Sequence, residues 1–286
     1  MTIKQIDQLI DEGQALNQLA EAYAEIANLK IKKIRTEAER NKLFLKEISG
    51  VYNLVKKMAL KKGVNFLKPK KMVSIVVTSN SPFYGTTNYD LLDFFIMQTQ
   101  KLTTDKIILG KVGVDYFRIE PIFKNFQEVV LASDQPNLKE LATLVNLIED
   151  YSQVLVFYSG FKSLLVQQPS VIAVRGSNSL TGDSLTGNDK VPDDEFVFIF
   201  EPDLSRILSF FDTQIATLLL EGIFLESELS RAASRFISMD QAQTEANKFI
   251  KENQKLKAYT IRNINNNAIL ESFASMMAER RLQHDQ

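Results

Sequence analysis

One segment of the sequence has the residue types of a phosphate-binding loop. Residues 78–85 read Thr-Ser-Asn-Ser-Pro-Phe-Tyr-Gly and follow an apolar run at 72–78. Hydroxyls and backbone amides at such a place can hold a phosphate, but the established phosphate loops need several glycines and, in the Walker type, a lysine. This segment has one glycine and no lysine. The sequence therefore favours a plain strand-to-helix turn and predicts no nucleotide cofactor.

The other residues capable of chemistry stand apart from one another. His284 is the only histidine and lies near the C-terminus, and the chain has no cysteine, so a catalytic histidine or a His/Cys metal site is not expected. Asp183 and Asp189 could chelate a cation, but the polar Gly/Ser/Thr-rich segment around them, residues 176–192, favours a solvated surface loop. Ser159-Gly160 lacks the GxSxG nucleophile pattern. We expect no catalytic residue, no metal and no cofactor, and so a non-catalytic protein.

Two compositional features could indicate ligand binding but favour plainer interpretations. The basic run 30–40 could bind nucleic acid, yet no aromatic residues interleave with its charges, and the formal net charge of the chain is only −1. A solvated or partner-facing helix flank is the better interpretation. The 19 phenylalanines fall mostly in apolar runs or at helical spacing, so core packing is favoured over ligand stacking.

The two ends of the chain have the pattern of long helices. Residues 3–62 contain no proline, and 203–277 contain none either. In the second stretch, apolar residues recur at alternating intervals of three and four positions over six heptads, and only Gly222 and Gln243 interrupt the series. This spacing is a specific coiled-coil signal. A helix over 203–277 would be roughly 110 Å long and would have to project from any compact domain. The expected seam residues are, for the first helix, Leu16, Leu19, Tyr23, Ile26, Leu45, Ile48, Tyr52, Val55 and Ala59, and for the second, Leu208, Phe211, Ile215, Leu218, Gly222, Leu225, Leu229, Ala232, Phe236, Met239, Gln243, Ala246 and Ile250.

Between the long helices, short apolar runs alternate with helical periodicity. Buried strands are predicted at 72–78, 106–110, 153–159 and 196–200, and helices at 89–102 and 138–151. This alternation predicts a small Rossmann-like α/β domain with a mostly parallel sheet.

The charges predict how the two long helices pair. Residues 1–29 carry a net charge of −4 and 30–62 of +8, while 204–246 carry −3 and 247–265 carry +4. Only an antiparallel arrangement puts opposite charges side by side. Exposed ion pairs are weak, at about 0.2–1 kcal/mol each, but their pattern can set orientation and register.

These elements define the expected fold class. It is an α/β protein in which the terminal helices form an antiparallel two-helix coiled coil around an inserted α/β domain. The expected boundaries are 1–68 for the first coiled-coil helix, 69–202 for the α/β domain and 203–286 for the second helix. The polar start lacks a signal-peptide core, and no stretch reaches about 18 uninterrupted apolar residues, so no direct membrane insertion is expected.

Four segments, in order, resemble the γ subunit of F-type ATP synthases. Residues 110–118 are similar to a Gly-Lys-Lys-Gly-x-x-Phe-Phe-Arg segment of that family, 154–169 to its strand and turn, and 200–202 to its Phe-Glu-Pro. The strongest match is 224–248, where the following residues stand at or near family positions: Ser227, Glu228, Arg231, Arg235, Met239, Asp240, Ala242, Ala246 and Asn247.

The departures from the family concern its contact surfaces. The first helix begins with acidic residues, whereas the first helix of the family begins with basic ones. Residues 79–85 stand where the family has a Ser-Asp-Arg-Gly-Leu-Cys-Gly segment. The family's Arg-Gln pair, which binds the catalytic subunit, aligns with Leu256 and Lys257, and its following Glu aligns with Asn263. A divergent or paralogous member is therefore expected.

The resemblance implies a rotor role. It implies a central shaft inside a ring of three pairs of α and β subunits, coupling ATP turnover to rotation. The shaft would also contact an ε-type subunit and a membrane rotor ring or its substitute, and would lie in the cytoplasm, peripheral to a membrane through the complex. Neither nucleic acid nor a cofactor is an expected partner. The candidate subunit contacts are Leu256, Lys257, Arg262, Asn263, Arg231, Arg235, Asp240, Lys30 and Lys33.

A different class of function fits the same architecture. A coiled-coil adaptor with an α/β head could bind a protein or a nucleic acid without any rotary complex. The match at 224–248 counts against the adaptor, because an adaptor has no need of that run.

Overall fold

The computed structural model describes residues 2–61, 71–81, 84–120, 122–123, 125–175 and 203–284. The predicted strand 196–200 and the loop 176–192 with Asp183 and Asp189 lie outside these residues. The proposed domain boundaries at 68 and 202 do as well, so the three-part division stays a prediction.

Two very long helices begin and end the described chain. Helix α1 runs Ile3–Lys61 over 59 residues. Three shorter helices follow in the middle: α2 Thr87–Thr99, α3 Lys111–Ile119 and α4 Leu138–Leu147. Helix α5 runs Leu204–His284 over 81 residues, extending past the predicted end at 277. The absence of proline within both long helices lets their backbone hydrogen bonds continue without a break.

The described residues in the middle of the chain form a five-stranded sheet. Its strands are β1 Met72–Val77, β2 Asp105–Leu109, β3 Gln127–Val129, β4 Gln153–Phe161 and β5 Gln167–Arg175, in the spatial order β3-β2-β1-β4-β5. β1 pairs in parallel with both β2 and β4, and β2 with β3, whereas β5 is antiparallel to β4. The predicted mostly parallel sheet is confirmed, with β3, β5 and α3 as elements that the sequence did not predict.

Both faces of the sheet are covered by apolar side chains. One face belongs to a core that α4 shares with the end of α1 and the start of α5, including Ile75, Leu144 and Leu219. The other face belongs to an aromatic core built mainly by α2 and α3 around Phe95. A parallel sheet buried on both faces explains why its strands read as continuous apolar runs rather than alternating ones.

The chain divides into two compact units. Residues 1–26 and 236–286 form one, which consists of the outer parts of α1 and α5. Residues 27–235 form the other, which contains the inner parts of both long helices and the sheet with its three shorter helices as far as they are described.

The predicted seam is confirmed in α5 and wrong in the first part of α1. The predicted α5 positions are buried or half-buried throughout. In α1 the predicted Leu16, Leu19 and Ile26 are exposed, and the buried positions are shifted by about one residue to small side chains such as Ala20 and Ala27. Small residues let two helices approach closely: a Cβ added at Gly13 would lie 3.0 Å from Ile250 Cγ1.

One helix in the described residues is long and apolar enough to cross a membrane by length and composition alone. It is α5, where the qualifying window lies within Leu204–Met277 and 44% of it is buried inside the protein. The start of α5 packs in the core shared with the sheet, and core helices meet the same criterion.

Gly110, between β2 and α3, has a backbone that side chains disfavour. Its φ is +95°, and an added Cβ would lie 2.3 Å from the backbone oxygen of Thr78. We expect Gly110→Ala to lower the free energy of unfolding by about 2–3 kcal/mol, since a strained φ costs about 1–3 kcal/mol before any clash. Gly50, with nothing near its added Cβ, is the matched control: Gly50→Ala should stabilise by about 0.5–1 kcal/mol. Urea denaturation of both variants tests this, and equal midpoints would contradict it.

Candidate functional site

The two long helices pair with the polarity that the charges predict. In the outer unit, Lys257 Nζ lies 2.5 Å from Asp7 Oδ1. In the unit of residues 27–235, Lys30 Nζ lies 3.0 Å from Glu228 Oε1. Each pair joins an acidic block of one helix to a basic block of the other, which confirms the antiparallel coil.

The pair with Asp7 changes the interpretation of Lys257. Both side chains are about two-fifths exposed, so the ammonium lies at the coil surface but already has a carboxylate partner in its own chain. Because the Lys257 side chain is still partly exposed, its contact with another subunit stays a prediction.

The remaining predicted tip residues are on the surface. Leu256 is 40% exposed, and Arg262 and Asn263 are exposed. Asp7 lies beside Lys257 and α1 begins at Ile3, so within the described residues α5 extends beyond α1 from about residue 261 onward. This end of α5 exposes apolar side chains, namely Ile264, Ile269, Leu270, Phe273, Met276 and Met277.

A second apolar surface lies along the outside of α1. Leu16, Leu19 and Ile26 were predicted to face the seam, and Leu16 is 61% exposed instead. With half-buried Tyr23 they recur at steps of three and four, so they form one stripe along the helix. An extended apolar surface on a soluble coil usually marks a place where another protein binds.

Arg231 is not a surface residue. Its side chain is fully buried, and its Nη1 donates to Ser227 Oγ at 2.6 Å. Burial lowers the pKa of this guanidinium, while Asp134, Tyr84 and Glu228 act in the opposite direction. The expectation that Arg231 contacts another subunit is therefore replaced by an internal role.

Arg231 and Arg235 both face the ring of Tyr84. The guanidinium carbon of Arg235 lies 4.1 Å from the ring centroid and that of Arg231 lies 6.0 Å from it. The hydroxyl of Tyr84 donates to Asp134 Oδ2 at 2.8 Å, and burial together with Asp134 raises its pKa to about 12. Ser234 Oγ also donates to the backbone oxygen of Tyr84. The loop after β1 is thus bound to α5 by cation–ring contacts and by a hydrogen bond.

The other predicted contacts are dispersed. Lys33 lies 4.0 Å from Glu37 on the same helix, and Asp240 is exposed on α5. Lys30 takes part in the pair with Glu228. Lys30 and Lys33 belong to the unit of residues 27–235, whereas Asp240 and the tip residues belong to the other unit.

The loop after β1 uses its polar groups internally. Thr78 Oγ1 donates to the backbone oxygen of Leu109 and accepts from the amide of Gly113. Asn80 Oδ1 accepts from the amide of Lys111 at the start of α3, the place where a phosphate would bind in a nucleotide fold. Asn80 also binds Asp134 and Leu131 through its own nitrogens. The prediction of a plain turn fits this geometry.

The sequence missed Tyr84 and Asp134 as a pair. They are 50 positions apart and belong to no motif. Parallel topology brings the loops after β1 and β3 to one edge of the sheet, where this kind of fold normally binds a ligand. In this chain Arg235 and Ser234 of α5 contact Tyr84 at that edge. Within the described residues, no group of three or more His, Cys, Asp or Glu side chains could hold a metal ion.

Solved structures from mitochondrial ATP synthases have the same fold as this chain. A central stalk and c-ring structure of the Tetrahymena thermophila mitochondrial ATP synthase aligns with a TM-score of 0.58 and 16% identity, covering 78% of this chain and 99% of that one. A Euglena gracilis mitochondrial ATP synthase structure aligns with a TM-score of 0.55 and 12% identity, covering 87% and 94%. These likenesses show the fold.

Sequence relatives cover nearly the whole chain. The ATP synthase γ chain of Staphylococcus saprophyticus is 24% identical over 263 residues, 87% of this chain and 89% of its own length. A Staphylococcus aureus ATP synthase γ chain is 22% identical over the same coverage. The family model described as ATP synthase matches residues 2–263, and the chain therefore belongs to the ATP synthase γ-chain family.

Proposed function

We propose that this chain is the central shaft of a rotary ATPase and that it couples ATP turnover in a catalytic ring to rotation. The observation that carries the proposal is the surface of its coil. The α1 stripe and the unpaired end of α5 expose apolar side chains that no part of the described chain covers. A shaft enclosed by a ring of subunits needs such a surface, because the ring supplies the cover.

The proposed partners follow from the resemblance of the sequence to the γ-chain family. The catalytic ring would consist of α and β subunits, one shaft to three pairs, and an ε-type subunit and a membrane rotor ring or its substitute would bind the α/β end. The complex would hold the chain at a membrane without inserting it. Exposed Leu256, Arg262 and Asn263 are proposed contacts of the outer end.

Rotation of the α/β domain is the direct test. The chain has no cysteine, so Lys101→Cys, at an exposed position after α2, provides a single attachment point for a bead. In the complex purified through a tag on this chain, ATP should make the bead turn in one direction. A tagged chain that brings down no ATPase subunits, or a bead that never rotates, would overturn the proposal.

The shaft itself should not hydrolyse ATP. The sequence contains no Walker loop, and polar side chains of the loop after β1 accept hydrogen bonds from backbone amides of α3. We expect phosphate release by the purified chain to equal that of buffer. Asn80→Ala is the control, since any turnover it abolished would come from this chain and would refute the expectation.

A charge swap separates the two possible roles of Lys257. Lys257→Asp should put two carboxylates together and cost on the order of 1 kcal/mol, typical of exposed pairs, and it should lower coupling in the complex. Adding Asp7→Lys restores the internal pair. If coupling recovers along with thermal stability, Lys257 acts inside the coil; stability that recovers without coupling would indicate a contact with the ring.

A coiled-coil adaptor remains the second candidate function, because the same exposed apolar surfaces could bind one protein partner. Size-exclusion chromatography with a catalytic ring separates the two. A shaft elutes with the ring at one copy, whereas an adaptor elutes alone.

A further inference from the structure

Helix α5 has an apolar attachment to the α/β domain and a polar one beyond it, and between them Glu226 of α5 accepts two hydrogen bonds from β4, donated by the Tyr158 hydroxyl and the Phe161 amide. The first is apolar and extends from Leu204 to Phe224, where α5 packs in the core shared with β1, β4 and α4. The second is polar and includes Ser234 and Arg235. From Phe224 to Arg235 the helix advances roughly 16 Å at 1.5 Å per residue.

The two attachments differ in what they can resist. Apolar packing is non-directional, so by itself it holds α5 against the domain but tolerates small rotations of the helix about its axis. Hydrogen bonds and cation–ring contacts have preferred geometries. The polar attachment therefore adds an angular constraint to the apolar one, in addition to that of the two hydrogen bonds to Glu226.

Tyr84 is the centre of the polar attachment. Its ring faces two guanidinium groups of α5, its backbone oxygen accepts from Ser234, and its hydroxyl binds Asp134, whose Oδ1 also accepts from the amide of Asn80 at 2.6 Å. The loops after β1 and β3 are thus joined to each other and to α5 through one side chain. Arg231 is fully buried here, and its Nε and Nη2 have no hydrogen-bond acceptor among the described residues. Burying such unpaired polar groups costs free energy, so its retention points to a role that offsets this cost.

We propose that Tyr84, with Arg231, Arg235 and Asp134, forms a rotational lock that fixes the angle of α5 on the α/β domain. These four are positioning residues, because they hold the helix in one orientation. The meaning of the lock for torque rests on the proposed shaft function, whereas the lock itself is a property of the isolated chain.

The first experiment measures the lock without any complex. Spin labels on cysteines replacing exposed Lys32 of α1 and Lys101 after α2 report the distance between the coil and the α/β domain. We expect Arg235→Met to broaden that distance distribution about 1.5- to 2-fold, because the nearer of the two cation–ring contacts is lost and non-directional packing then has a larger share in setting the angle. Arg206→Met, at an exposed position of the same helix, should leave the width unchanged. Equal widths in the two variants would overturn the proposal.

A second pair of variants separates the lock from general stability. Tyr84→Leu removes the ring, and Tyr151→Leu removes another tyrosine of the same domain, whose hydroxyl binds Asp105 at 3.0 Å. Tyr84→Leu should broaden the distribution, Tyr151→Leu should not, and Tyr84→Phe, which keeps the ring, should restore most of the wild-type width. Broadening by Tyr151→Leu to the same extent would show a plain loss of stability and overturn the lock. If Tyr84→Leu does not fold, the comparison of Arg235→Met with Arg206→Met tests the lock.

The third experiment places the lock in the rotating complex. With a bead on the α/β domain, Arg235→Met should broaden the distribution of pause angles about 1.5-fold or more. Its ATPase rate should be near that of Arg206→Met, since ATP is hydrolysed in the catalytic ring and not in this chain. Unchanged pauses would overturn the role in torque. A wild-type bead that does not rotate would count against the shaft function alone, because the label distances still test the lock.

Discussion

Ala242→Pro is expected to disable the shaft while leaving its α/β domain folded. Ala242 is exposed on α5 in the outer unit, so the substitution removes no buried packing. Proline inside a helix loses one backbone hydrogen bond, clashes with the carbonyl four residues earlier, and costs about 3 kcal/mol or more. The break falls within the paired part of the coil, between Met239 and Ala246 of the seam.

Helicity and rotation together measure this effect. Circular dichroism of the isolated variant should show lost helix and a lower melting temperature for the coil. In the complex, ATP hydrolysis should no longer turn a bead on the α/β domain at the wild-type rate. Ala242→Ser is the control at the same position, with an expected cost of about 0.5 kcal/mol. Normal rotation by a variant that has demonstrably lost helix would contradict the view that a continuous stiff coil transmits the torque.

Phe95→Ala should be the most damaging single truncation in the α/β domain. Phe95 is fully buried, and its ring lies 5.1 to 6.3 Å, centroid to centroid, from those of Phe117, Phe123 and Phe157. Removing a buried phenylalanine side chain costs about 3–5 kcal/mol, since the apolar transfer energy is lost and a cavity remains. We expect a loss of that size in the free energy of unfolding, measured by urea denaturation.

Phe44→Ala provides the comparison. Phe44 lies on α1 and is 56% exposed, so its truncation should change the free energy of unfolding by no more than about 0.5 kcal/mol. A loss below about 1 kcal/mol for Phe95→Ala would contradict the aromatic core. It would reopen the interpretation, disfavoured by the sequence, that the phenylalanines form a ligand-stacking site.

The α/β domain shows where local patterns lose information. Strands β1, β2 and β4 have continuous apolar runs because both sheet faces are buried, and they were predicted within a few residues. Strand β3 has only three residues, which is too short for a pattern, and Pro169 within β5 argues locally against a strand. Helix α3 has nine residues and contains Gly113, so its periodicity is brief.

The sequence by itself determined the two long helices, their antiparallel pairing and the α/β insertion, because proline-free heptads and complementary charge blocks act over many residues at once. It could not determine which stripe of α1 faces α5. Leu16 and Leu19 are more apolar than Ala20 and Gly13, but close approach of the two helices favours the small residues, and that distance is a tertiary quantity. Tertiary structure alone also placed Arg231 in the interior and Lys257 beside Asp7, and it assembled Tyr84, Asp134 and Arg235 from three distant parts of the chain. Their proximity follows from parallel topology and helix packing, which no local run of residues specifies.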